Sequence, residues 1–212
     1  MTDDGLGFQA PQTITPEGLA DDLTVLVWES FTDFISERES SSTFKDGGPV
    51  GEEGKPDRRT VEEALIFLMW AHTRGTQQAF VERAPAELLK MALDGLHDAI
   101  LEDMVDNGTP REQLPHFEKR VSTRYAQYHA AAAVSDVALG EAVVHHLTGS
   151  LGSPEPFTQA VTERTLEVTG PLRDYLEEVH SVEGGVRPGR PTTPGMTESV
   201  EQFCRASMAD RT

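Results

Sequence analysis

Apolar residues recur along this chain at helical spacing, and nowhere in strand alternation. The clearest stretch runs from Pro85 to about Ala133. In its first arm Leu89, Ala92, Leu93, Leu96, Ala99, Ile100 and Met104 return every three or four residues, which places them on one helical face. After the turn Asn107-Gly108-Thr109-Pro110, the positions Phe117, Val121, Tyr125, Tyr128 and Ala132 repeat the spacing. Two amphipathic arms joined by a short polar turn are expected to fold back on each other as an antiparallel hairpin. Thr109 and Glu112 have capping-box spacing, and Pro115 after Leu114 marks a restart of the second arm.

The other elements follow the same logic. Thr15-Pro16-Glu17 opens a helix, with an N-cap and Pro at the first helical position. That helix carries Leu19, Leu23, Leu26, Val27, Phe31, Phe34 and Ile35 to about Arg38. Thr60 and Glu63 form a second capping-box pattern ahead of Ala64–Ala71, a run apolar all round that must be enclosed by other helices or by a partner. Val134 to Leu147 either continues the second arm or begins anew at Ser135. Phe157, Val161, Val168, Leu172, Leu176 and Val179 mark a last long helix, expected to kink or break at Gly170-Pro171. Residues 1–14 read as a flexible tail. Residues 39–59, rich in Ser, Gly, Pro and charge, read as a mobile loop. Residues 184–212 read as a Gly/Pro/Arg linker and a short terminal helix with Val200, Phe203, Cys204 and Met208 on its apolar face. The expectation is all-α: one bundle-like helical domain over 15–183, with that loop inside it and that helix tethered behind it.

Charge narrows the partners. The 212 residues hold 18 basic and 36 acidic side chains, a net charge of −18, which repels nucleic acid and anionic lipid. Only four of the basic residues are Lys. High acid with scarce Lys is the balance expected of a halophilic protein, whose self-repulsion a salt-rich cytosol screens. A single cysteine, Cys204, excludes an internal disulfide. The chain shows neither signal peptide nor apolar run long enough for a membrane span, so a cytoplasmic location is expected.

Candidate chemistry is sparse. No Gly-x-Ser-x-Gly, P-loop or dinucleotide fingerprint is present, and no cofactor is expected. Glu177-x-x-His180 has the spacing of a di-iron ligand pair, and Asp94-x-x-His97 is a looser second, so a metal-dependent helical enzyme on Asp94, His97, Glu177 and His180 is an alternative reading. His145 and His146 are neighbours about 100° apart on a helix and cannot share a metal as an i, i+4 pair does. His72 closes the apolar run as a polar end of the core. Two charge stripes face outward in this reading: Asp94, Asp98, Glu102 and Asp106 on the first arm, and His116, Arg120 and Arg124, with Lys119 beside them, on the second. They are either solvated faces trading weak ion pairs or, for the basic stripe, a docking surface for an acidic partner.

Several of these segments together resemble the ubiquinol–cytochrome c chaperone family. The matching text is Phe67-Leu-Met-Trp-Ala-His-Thr-Arg74, Ala92 to Met104, Asn107-Gly108, Phe117-Glu-Lys-Arg120, Arg124-Tyr125-Ala-Gln-Tyr128 and Leu139 to Gly149. It lies within residues 60–149, under half of the chain. Ala126 stands where the family has Gly, and Gln127 where it has Arg. The resemblance implies an all-helical assembly factor for the cytochrome bc1 complex that handles newly made cytochrome b. It also implies that Lys119, Arg120, Arg124, Tyr125 and Tyr128 contact that client. The reading is therefore a non-catalytic helical binding protein, an assembly chaperone for a respiratory membrane protein. A regulatory protein-interaction module acting through the terminal helix is a further alternative. If the Ala64–Ala71 face is not core, it would drive homo-oligomerisation.

Overall fold

The apolar run that had to be enclosed is the axis of the molecule. In a computed structural model, which describes residues 13–40, 57–149, 155–177 and 179–181, the chain forms six α-helices among the described residues, and the five others pack around the one that carries this run. They are α1 (Pro16–Ser40), α2 (Arg58–Phe80), α3 (Ala86–Asp106), α4 (Leu114–Ala132), α5 (Asp136–Thr148) and α6 (Glu155–Glu177). Helix α2 touches all the others. Every residue from Ala64 to Ala71 is at most 1 % exposed, so the face is core supplied by its own chain. Each large apolar side chain buried there contributes roughly 1.5–3 kcal/mol.

Packing departs from the expected hairpin. Helix α3 lies along α1, α4 lies along α5, and α6 spans α2 and α5; neither arm of the Pro85–Ala133 pair has the other as its main neighbour. A cavity of about 250 Å³ lies between the two arms, lined by Met69, His97, Leu101, Phe117, Val121 and Tyr125 among others. The apolar stripe of the first arm, Ala92, Leu93, Leu96, Ala99, Ile100 and Met104, is instead buried largely against α1. Trp28 Nε1 fixes the α1–α3 contact by donating to Asp103 Oδ2 at 2.8 Å.

The helix ends settle the capping expectations. Thr15 Oγ1 accepts from Gly18 N at 3.1 Å, as expected. Helix α2, however, is capped by Asp57, whose Oδ1 accepts from Thr60 N at 2.7 Å. Thr60 Oγ1 instead donates to Leu147 O at 3.0 Å, and Glu63 is an inward ion-pair member. A short 3₁₀ turn, Arg111–Gln113, with Pro110 rather than Thr109 at its N-cap position, precedes α4, which does begin at Leu114 with Pro115 in its first turn. Ser135 begins a new helix, accepting from Ala138 N at 3.0 Å. Gly149, at φ +69°, ends α5 in the left-handed conformation that suits glycine.

Helix α6 runs unbroken through Pro171, so the expected interruption at Gly170-Pro171 is absent. Beyond its end, Arg83 gathers carbonyls that lack helical partners: Nη1 donates to Leu176 O at 3.2 Å and Nη2 to Val179 O at 3.0 Å. Thr13 and Ile14, expected in a loose tail, pair in parallel with His180 and Ser181, and Ile14 is buried. Residues 1–12, most of the 39–59 loop, and the linker and terminal helix of 184–212 lie outside the described residues.

Candidate functional site: a groove between the first and last helices

Helices α1 and α6 both flank α2, and a groove of about 530 Å³ opens between them. Its volume falls in the range of roughly 300–1,000 Å³ usual for ligand sites. On α1, Asp22, Val25, Leu26 and Ser30 line one wall at helical spacing; on α6, Arg164, Glu167, Val168, Pro171, Leu172 and Tyr175 line the other. His72 of α2 forms part of the floor. Val25, Leu26 and Val168 are only half-buried, because the stripe that faces α2 is completed without them.

The polar groups sit at two ends. Tyr175 lies close enough to Asp22 for the carboxylate, after burial, to push the phenol up. Asp22 itself is shifted up from the usual carboxyl value by burial and by Asp21. Ser30 lies eight residues further along α1, a rise of about 12 Å, and its Oγ is 3.5 Å from His72 Nε2. His72 Nδ1 is 2.8 Å from Leu68 O. A carbonyl can only accept, so Nδ1 carries the proton and Nε2 presents its lone pair. Burial holds this imidazole down at about 4, so it is neutral near pH 7. Arg164, at the groove wall, lies 3.7 Å from Glu167.

Comparison with known protein families, with curated proteins and with solved structures finds no match for this chain.

The residues singled out from the sequence are placed elsewhere. Arg124 makes a bidentate pair with Glu63, Nε–Oε2 2.7 Å and Nη2–Oε1 2.8 Å, and Glu63 is fully buried. Arg120 pairs with Glu62, which Arg58 Nε also reaches at 2.8 Å. Tyr128 is fully buried, edge-on to Trp70 with centroids 5.6 Å apart. Its hydroxyl has no hydrogen-bond partner among the described residues, and burial pushes the phenol far up. Tyr125 OH sits 2.9 Å from His97 Nε2 and 3.3 Å from Thr73 Oγ1. Of the five residues Lys119, Arg120, Arg124, Tyr125 and Tyr128, only Lys119 is exposed. Within the basic stripe, Arg120 and Arg124 are turned inward onto α2, while His116 and Lys119 are exposed.

The metal alternative is likewise dispersed. Asp94 pairs with Lys90, His97 faces Tyr125, and Glu177 Oε1 is 3.6 Å from Arg173 Nε; the side chain of His180 lies outside the described residues. Among the described residues no three His, Cys, Asp or Glu side chains come together as metal ligands. His146 packs against Tyr128 with centroids 5.8 Å apart, and burial, then Arg124, lowers it to about 4. No described helix is long and apolar enough to cross a membrane.

The groove is the feature that sequence reasoning missed. Two signals could have found it: Val25 adds a further apolar position beside the stripe of α1, and His72 is a polar group that closes the apolar run of α2.

Proposed function

We propose that this chain is a non-catalytic binding protein whose α1/α6 groove receives an apolar segment of a protein partner. The groove carries this reading. Its middle is apolar, it is bounded by two helices, and its lining leaves Val25, Leu26 and Val168 half-buried above the buried Leu172. Helix-in-groove recognition uses such a surface, with apolar anchors spaced along one face of the guest. The family resemblance supplies the class of guest: a newly made respiratory membrane protein, whose segments are apolar and need cover before insertion.

The test is site-specific photo-crosslinking from Val25 or Tyr175 in cells, followed by mass spectrometry of the adducts. Adducts to cytochrome b or another bc1 component, lost when Leu26→Asp places a charge in the groove, support the proposal. Adducts that persist unchanged in Leu26→Asp, or that map only to soluble bystanders, would retire it.

A further inference from the structure

The lining of the groove says more about its guest than that it is apolar. Its basic complement is small: Arg164 is the one Arg or Lys among the described residues that line it. The lining holds two carboxylates, Asp22 and Glu167, against one guanidinium, Arg164, which lies 3.7 Å from Glu167. On the floor, the proton of His72 is given to Leu68 O, so the ring turns an acceptor toward Ser30. The Asp22 carboxylate therefore marks one end of an apolar channel and the Ser30–His72 pair the other, about 12 Å or two helical turns apart, within a molecule of net charge −18.

Building on the binding role proposed above, we infer that the groove selects an apolar segment flanked by a basic residue, with the ammonium or guanidinium seated at Asp22 and the apolar side chains along Val25, Leu26, Val168 and Leu172. Charge complementarity decides this choice: an acidic flank would meet Asp22 and Glu167, whereas a basic one pairs with the exposed Asp22 carboxylate. Lys and Arg are also the residues that border apolar membrane segments on their cytoplasmic side. The inference thus refines the class of guest without naming one.

The test uses the full chain and three fluorescein-labelled helical peptides. Each has a two-turn Leu face followed by Lys-Lys, Gln-Gln or Glu-Glu, and binding is read by anisotropy. The Lys peptide should bind about three- to tenfold tighter than the Gln peptide, and the Glu peptide weakest. Asp22→Asn should bring the Lys and Gln peptides together, and added salt should shrink their difference. Leu26→Asp and Val168→Asp, each checked for helicity by circular dichroism, should abolish binding of all three. Equal binding of Lys and Gln peptides to the unaltered protein, still blocked by those two variants, overturns the basic preference and leaves the groove reading standing. Binding of no peptide, or binding indifferent to both groove variants, overturns the two together.

Discussion

Replacing Arg124 by Met should cost this protein roughly 3–5 kcal/mol, a large share of the 5–15 kcal/mol that holds a typical domain folded. The figure follows from the site. Glu63 is fully buried and Arg124 only 15 % exposed, and two charge-assisted hydrogen bonds of 2.7 and 2.8 Å join them. Two unit charges at such range attract with about 4 kcal/mol at an effective dielectric constant near 20. Met keeps the aliphatic stem that lies along α4 and removes the charge, so Glu63 would be left buried and uncompensated. If the pair were merely a surface bridge, the loss would stay within about 1 kcal/mol. Urea unfolding at neutral pH, followed by circular dichroism, separates these cases through the midpoint at constant slope. A second variant sharpens it: Glu63→Gln combined with Arg124→Met should recover much of the loss, because the stranded charge is gone. A single-variant cost under about 1 kcal/mol, with no recovery in the double variant, would refute the claim that α4 is locked to α2 by an interior ion pair.

Three further outcomes are expected. His72 is held neutral in the fold, with its pKa lowered from 6.5 to about 4, so its contribution to stability is full above about pH 6.5 and is lost as pH falls toward 4. Between about pH 7 and pH 5 that loss is about 2 kcal/mol, and His72→Gln should flatten the stability profile by this amount; parallel profiles would contradict it. At Gly140 a Cβ would lie 2.0 Å from Thr162 Oγ1 and 3.2 Å from Thr158 O, so Gly140→Ala should separate α5 from α6 at a cost of about 1–3 kcal/mol. Thr162→Ala in the same chain should restore part of it, as read in the melting temperature. Finally, adding potassium chloride should raise the melting temperature, because 36 acidic against 18 basic side chains repel one another less when screened; a flat or falling curve would count against a protein adapted to salt.

Much of this architecture is written locally. The helical period of the apolar residues is a property of a dozen neighbours at a time, and it placed α1 through α6 within a few residues of where they run. Pro115 marked a helix start for the same reason, since its effect on the backbone reaches only one turn, whereas the local pattern left a start at Ser135 as one of two options that the structure decides. Capping showed the limit of local signals. Thr60 and Glu63 carry the right chemistry, but Asp57 offers the same oxygen three residues earlier and wins, which frees Thr60 for Leu147 and Glu63 for Arg124. Arg120 and Arg124 on α4 looked like surface because their partners, Glu62 and Glu63, stand 58 and 61 residues away in the chain.

The sequence by itself therefore determined that the chain is helical, that Ala64–Ala71 must be covered, and that the whole is strongly acidic. Only the tertiary structure decided that the cover comes from the chain's own helices and that Arg120 and Arg124 of the basic stripe point inward. It likewise decided that the two arms of the expected hairpin take other neighbours. The groove belongs to the second group: it exists because α1 and α6 lie on either side of α2 without closing over it, and no periodicity within one segment records the gap between two.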